Sequence, residues 1–321
     1  MKSNRQTTLR RQVAVTGDGV HSGLPVTLTL GPASIDAGFV FVRSGSDGSE
    51  RELRAITRHV ISTELATVLG DRGGPLVGTV EHVLAALRGM GVDNATIEVD
   101  GPEVPVMDGS AADFVAAIDR AEVVSQSAQR RFIEVLRPVS VTMGNAVGEL
   151  RPYSSGFRAE VEIDFENPLI GRQSYALDVT PARFRRELSR ARTFGMMRDV
   201  KRLWSSGFAL GASLKNSVVF DDERLLNNEG LRYADECVRH KILDVMGDMA
   251  LAGLPLLGAY RSIRGGHKLN HAVLTALFAD RGAWRVVERQ SAHRRAARGL
   301  VDVGVGLAGG RIAAAYGPDV S

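Results

Sequence analysis

Two segments far apart in the chain carry side chains that need each other, and bringing them together constrains the fold more than any other feature of the sequence. One is Thr79-Val80-Glu81-His82. The other is His240-Lys241-Ile242-Leu243-Asp244, with Asp248 one turn later. His240 and Asp244 are four residues apart, so on a helix they project from one face, one above the other. His82 could close the set from a second helix. Three nitrogen and oxygen donors leave the fourth position of a zinc ion open, as in a catalytic rather than a structural site. Glu81 would then be a carboxylate beside the metal that need not bind it, the right kind of group to accept a proton from water.

The single cysteine, Cys237, excludes an intrachain disulfide framework and a thiolate zinc site, and reads as a buried helix residue. With 321 residues, 44% hydrophobic and 24% charged, the chain is globular, with room for one large domain or two ordinary ones. Met1 to Gln12 is polar and basic, without the apolar run of a secretory signal. The longest apolar stretches, such as Leu251 to Tyr260, are too short to cross a bilayer. A cytoplasmic protein with no transmembrane segment is expected. The net charge of +3 is mild. Basic residues cluster only in Arg183–Arg202 and Arg285–Arg298, without the interleaved aromatics of a single-strand binder. They fit attraction of a phosphorylated small molecule, and no nucleic-acid partner is expected.

Strand-like runs cover Thr8–Thr16, Val26–Leu30, Gly38–Arg43 and Asn94–Val99, with Gly17-Asp18-Gly19 and Met107-Asp108-Gly109-Ser110 as turns. A helix starts at Thr79 as N-cap and ends at Gly89 and Gly91; another covers Ala111–Ala121. Glu122–Arg130 is polar and aperiodic, which places a domain boundary there: residues 1–126 form one domain and 127–285 a second. In the second, strands are expected in Phe132–Thr142, Glu149–Arg151, Phe157–Phe165, Val218–Phe220 and Leu256–Arg264. Helices are expected from Pro181, over Ala234–Ala252 and over Asn270–Phe278. The halves share a similar element order. From about Trp284 the chain turns rich in Ala, Arg and Gly, and residues 286–321 read as a tail of uncertain order.

Each motif also has a plainer reading. His240 and Asp244 alone could be a surface ion pair. The combination is stronger, because an apolar helix face does not accept a Glu-His pair without a partner. Asp248 is either a surface charge or the acceptor that holds a histidine ring in place. Gly265-Gly266-His267 is an ordinary turn unless a metal lies near; His267 then becomes a cation for a developing oxyanion or a leaving amine. Arg190-Ala191-Arg192-Thr193-Phe194-Gly195 ends a basic helix with a glycine cap, or aims the Thr193 hydroxyl at a reaction centre. His21 and His59 read as structural or surface histidines. Met196, Met197, Val200 and Leu203 read as helix packing.

Taken together, these segments resemble the zinc-dependent UDP-3-O-acyl-N-acetylglucosamine deacetylases, which catalyse the committed step of lipid A synthesis in Gram-negative bacteria. The resemblance is carried by Thr79–His82, Asp93-Asn94, Pro105–Ala112, Ser189–Gly195, Val238–Asp244 with Gly247-Asp248, and Gly266–Asn270, in family order from about residue 5 to 285. It implies an α+β fold of two similar domains, each layering helices on a β-sheet, with the active site between them. It implies His82, His240 and Asp244 as ligands of zinc, with iron(II) the other metal such ligands admit. Glu81 is then the general base, His267 the catalytic histidine oriented by Asp248, and Thr193 an oxyanion donor. Lys241 and Arg264 fall near the diphosphate and sugar, and Phe165 and Asp164 near uracil. Phe194, Val200, Leu203, Ala212, Ser217 and Val219 fall along an acyl passage, with Leu65 and Thr67 as further substrate contacts. A monomer acting on a UDP-linked acylated amino sugar is expected. Two positions depart from the family pattern: Ala66 stands where many members carry cysteine, and Glu166-Asn167-Pro168 lacks a usual histidine. The rival reading is a non-catalytic module that binds a phosphorylated or nucleic-acid ligand through Arg183–Arg202.

Overall fold

The first sheet runs Val13–Asp18, Pro25–Pro32, Ala95–Val99, Phe39–Ser44, Glu50–Arg54, with every neighbouring pair antiparallel except Ala95–Val99 beside Phe39–Ser44. This computed structural model describes residues 4–44 and 49–288, so the expected tail from residue 289 onward lies outside the described residues. A larger, seven-stranded sheet repeats the same path: Val139–Met143, Ala146–Arg151, Leu256–Ile263, Phe157–Asp164, Arg172–Asp178. Again one pair is parallel, the third strand with the fourth. Arg131–Val135 and Trp284–Glu288 extend this sheet beside the start of Leu256–Ile263. The fold is α+β.

A parallel pair needs a long crossover. In each half the crossover ends in a helix that feeds the central strand: Glu81–Gly89 leads into Ala95–Val99, and Glu236–Ala250 into Leu256–Ile263. A second helix follows each central strand, Ala112–Ala121 and His267–Ala279. Each crossover also carries an insertion at the same point of the repeat. Before Glu81 it is a small antiparallel sheet, Val60–Ser62, Val68–Asp71 and Gly74–Val77. Before Glu236 it is the parallel pair Phe194–Met196 and Val218–Phe220, with the helix Met197–Ser205 between them.

The two feeding helices pack on each other, and nearly every residue of both is buried, charged ones included. Glycine sets their closest approach: a Cβ on Gly247 would lie 2.0 Å from the Glu81 carbonyl oxygen. Gly89 is the last residue of its helix, where a Cβ would meet the Phe184 ring at 2.4 Å. Strand faces follow the period of two: Val26, Leu28 and Leu30 turn into the core.

Several expectations are corrected. Thr79 is not the N-cap; its φ is +54° and its hydroxyl donates to Glu103 at 2.7 Å, leaving Val80 at the cap. The polar segment Glu122–Arg130 contains the strand Val123–Gln129, paired antiparallel with Arg5–Leu9; neither face is apolar, so no alternation marks it. The first sheet lies within residues 1–126 and the larger within 127–288, while this two-stranded ribbon straddles that point. Arg10-Arg11-Gln12 splits the expected run Thr8–Thr16, and Arg137-Pro138 splits Phe132–Thr142. Gly195 does not cap a helix: it lies inside the strand Phe194–Met196. Trp284–Glu288, expected as the start of a tail, is an edge strand on Arg131–Val135. Among the described residues no helix is long and apolar enough to cross a membrane.

Candidate metal centre

The packed pair of helices brings His82, His240 and Asp244 together, with one donor atom of each within 4.8 Å of the others and all three side chains buried. Asp244 Oδ1 lies 3.5 Å from His82 Nε2 and 3.3 Å from His240 Nε2. A tetrahedral zinc with bonds of about 2.0–2.1 Å separates its donors by roughly 3.3–3.4 Å, which the two separations from Asp244 match. His240 Nδ1 donates to the Ala191 carbonyl at 3.0 Å, which fixes the ring and leaves the Nε2 lone pair toward Asp244. Burial pushes His240 down to about 4, so the imidazole is in the neutral, ligating form. Burial pushes Asp244 up, but Lys241 and His240 outweigh it and hold the carboxyl well below its usual range. The second oxygen of Asp244 accepts from Lys241 Nζ at 2.8 Å. His82 Nδ1 is buried and without a hydrogen-bond partner.

Beside this cluster runs a second one. Glu81 Oε1 lies 3.6 Å from His267 Nε2, and His267 Nδ1 donates to Asp248 Oδ2 at 2.8 Å. Asn270 Nδ2 donates to the same oxygen at 2.8 Å, and Thr67 Oγ1 to Asp248 Oδ1 at 2.7 Å. The Thr67 amide donates to Glu81 Oε2 at 3.1 Å, so one residue ties both carboxylates in place. Burial raises the Glu81 carboxyl, with the opposing pull of His267 second. Burial would lower His267, but Asp248 and Glu81 outweigh it and raise the imidazole to about 10, so it is a cation at neutral pH. A proton acceptor and a proton donor thus face each other next to the candidate ligands.

Both clusters open into a cavity of about 650 Å³, a volume ordinary for a small-molecule site. Of the residues singled out from sequence, Glu81, His82, Thr193, His240, Lys241, Asp244, Arg264 and His267 line it, together with Leu65, Phe165, Phe194, Val200, Leu203, Ala212, Ser217 and Val219. Phe165 and Phe194 meet edge to face at 5.4 Å. Thr67, Asp164 and Asp248 are not on the lining: Thr67 and Asp248 sit behind the site, and Asp164 pairs with Arg264. His21, read as a structural or surface histidine, lines the cavity as well. Its amide and that of Ser22 donate to the buried Glu103 carboxylate, which also takes the Thr79 hydroxyl. Met143 and Asp199 on the lining also escaped the sequence reading, with no local motif to mark them; Lys268, also on the lining, lies within the Gly266–Asn270 segment but was not singled out.

Four non-glycine residues with left-handed backbone line the cavity: Leu65 (φ +63°), Thr79 (+54°), Ala209 (+56°) and Arg264 (+53°). Such conformations cost of order 1–3 kcal/mol each and gather at functional sites. The basic run 183–202 is largely neutralised. Arg192 is buried against Glu236 at 2.9 Å, and Arg183, Arg185, Arg186, Arg198 and Arg202 each pair with a carboxylate. Arg190 and Lys201 are the cations of this run without an ion pair among the described residues, too few for an extended nucleic-acid face.

Comparison with known sequences points the same way. A sequence profile of the UDP-3-O-acyl N-acetylglycosamine deacetylase family matches residues 6–279. The chain is 50% identical over 284 residues to proteins named UDP-3-O-acyl-N-acetylglucosamine deacetylase from Brucella ovis and Brucella canis; each alignment covers 88% of this chain and 98% of the relative.

Proposed function

The chain belongs to the UDP-3-O-acyl N-acetylglycosamine deacetylase family, and from that premise we propose that it hydrolyses the acetamide of UDP-3-O-acyl-N-acetylglucosamine, releasing acetate and the free amine. In this reading it serves lipid A synthesis as a monomer in the cytoplasm of a Gram-negative bacterium. The observation that carries it is the convergence of His82, His240 and Asp244 beside the Glu81–His267–Asp248 chain in one cavity.

His82, His240 and Asp244 would hold a zinc ion, or iron(II), which supplies polarisation of the acetamide carbonyl and lowers the pKa of a water toward about 7. Glu81 takes the proton of the attacking water; its burial raises the carboxyl toward the range a base needs near neutrality. Negative charge then develops on the carbonyl oxygen, where the Thr193 hydroxyl and the His267 cation meet it. The C–N bond breaks as the amine takes a proton, from His267 or from Glu81 returning its own. Asp248 keeps His267 charged and oriented, and Thr67 acts from behind through Asp248 and Glu81. Lys241 and Arg264 attract the diphosphate and sugar. Phe165 and Asp164 lie toward uracil, Leu65 at the rim, and Phe194, Val200, Leu203, Ala212, Ser217 and Val219 along the acyl chain. Residues 1–126 and 127–285 act as two domains, each contributing one side of the centre.

The test is acetate release from the UDP-linked acylated sugar by protein stripped of metal, before and after zinc is restored. About one zinc per chain with restored release is expected. Absence of release from the zinc-loaded protein removes the assignment.

A further inference from the structure

The helix Met197–Ser205 buries none of its residues, although Met197, Val200, Leu203 and Trp204 recur at helical spacing and form an apolar stripe. Val200 and Leu203 turn that stripe toward the cavity, whereas Met197 and Trp204 stand 49% and 53% exposed. The exposure continues into the next loop, with Leu210 at 54% and Leu214 at 46%. Four of the thirteen large apolar side chains exposed among the described residues therefore fall in this one segment. The patch is built. The Trp204 indole N–H donates to the Ala209 carbonyl at 3.0 Å, so its polar atom is satisfied while the ring remains free. Leu210 packs on Gly23, which precedes the exposed Leu24.

The charge around the patch is mixed but positive on balance, with Asp199 and Asp222 among the cations. Residues 197–215 hold Arg198, Lys201, Arg202 and Lys215 against the single carboxylate of Asp199, a net of +3. Arg198 pairs with the exposed Asp222 and Arg202 with the half-buried Asp199, and Lys201 has no ion-pair partner among the described residues. A short amphipathic helix with a wide apolar stripe, a tryptophan at its edge and cations on its flank has the make-up of an interfacial helix. We propose that this face docks on an anionic lipid surface, the helix lying in the interfacial plane and the acyl passage beside it. The partner is argued from charge complementarity and from the lipid chain of the substrate, so it rests on the function proposed above.

The test is co-sedimentation of the full chain with vesicles of phosphatidylcholine alone and with vesicles of phosphatidylcholine mixed with phosphatidylglycerol. Binding to the mixed vesicles only is expected, weakening as salt rises, with a blue shift of tryptophan emission that Trp204→Phe abolishes. Lys201→Glu should weaken binding about tenfold or more, since each cation near an anionic surface contributes about a fivefold factor. Leu210→Ser should also weaken it and guards against a folding defect at Trp204. Acetate release from a detergent-free, short-acyl substrate should be unchanged in both variants, so failure here is distinct from failure of the deacetylase reading. Binding that survives both changes would place the contact elsewhere and overturn the proposal. Self-association without vesicle binding would assign the patch to a second copy and overturn it too.

Discussion

Glu81 and His267 face each other 3.6 Å apart, and single substitutions separate the opposite tasks proposed for them. Glu81→Gln keeps the shape but removes the base; kcat should fall about 10²–10⁴-fold with zinc content unchanged, measured by initial rates and metal analysis. Near-normal turnover would remove Glu81 from the chemistry. Asp248→Asn should act through pH. The folded pKa of His267, about 10, lies above its ordinary 6.5. The stabilisation that follows is complete below pH 6.5 and is lost as pH climbs toward 10. The melting temperature of Asp248→Asn should therefore drop most in mildly acid buffer and least near pH 10, and the alkaline limb of its kcat/KM profile should move to lower pH. A loss independent of pH would mean that Asp248 only fills space. At this scale the sequence was informative where chemistry is local: Glu81-His82 and His240-Asp244 are legible as short motifs. Glu103 was not, and Thr67 was expected only as a substrate contact, because their ties to buried partners depend on neighbours that only the folded chain brings near.

Helices and strands carry the next level of specification. Gly247 lies one residue before Asp248, on the helix that supplies Asp244, and its missing Cβ is what lets the Glu81 backbone approach. Gly247→Ala should cost about 3 kcal/mol or more, because the clash is with backbone and has no rotamer to relieve it. Bound zinc should fall together with stability, since His82 and His240 ride on the two helices being pushed apart; urea unfolding and metal analysis read both. Arg192→Met would strand the buried Glu236 carboxylate at the start of the His240 helix and should cost about 3–5 kcal/mol by the same unfolding measurement. The long helices and alternating strands were readable because each has one periodic apolar face. The strand Val123–Gln129 was not, being polar on both sides. Nor was the end of the basic helix, because Arg192, which looks like a surface charge, is a buried anchor.

Across the whole molecule, an ion held by both halves should stabilise the fold by mass action. At a hundredfold excess over Kd that is about 2.7 kcal/mol, so a chelator should lower the melting temperature by several degrees and zinc should restore it. An unchanged midpoint would mean that the three side chains hold nothing. The repeat of strand order in the two sheets was only partly visible in sequence, as a similar order of elements; the pairing that makes it a repeat is long-range. One consequence follows from where the ligands fall along the chain. His82 is synthesised early, and Asp244 162 residues later. At about 5–20 residues per second the ribosome takes about 8–30 s to cover that gap. A nascent chain therefore cannot acquire the complete centre while its first half is folding. On the proposed assignment, metal loading would be a late event in biosynthesis, and a product truncated before His240 would leave the ribosome inert.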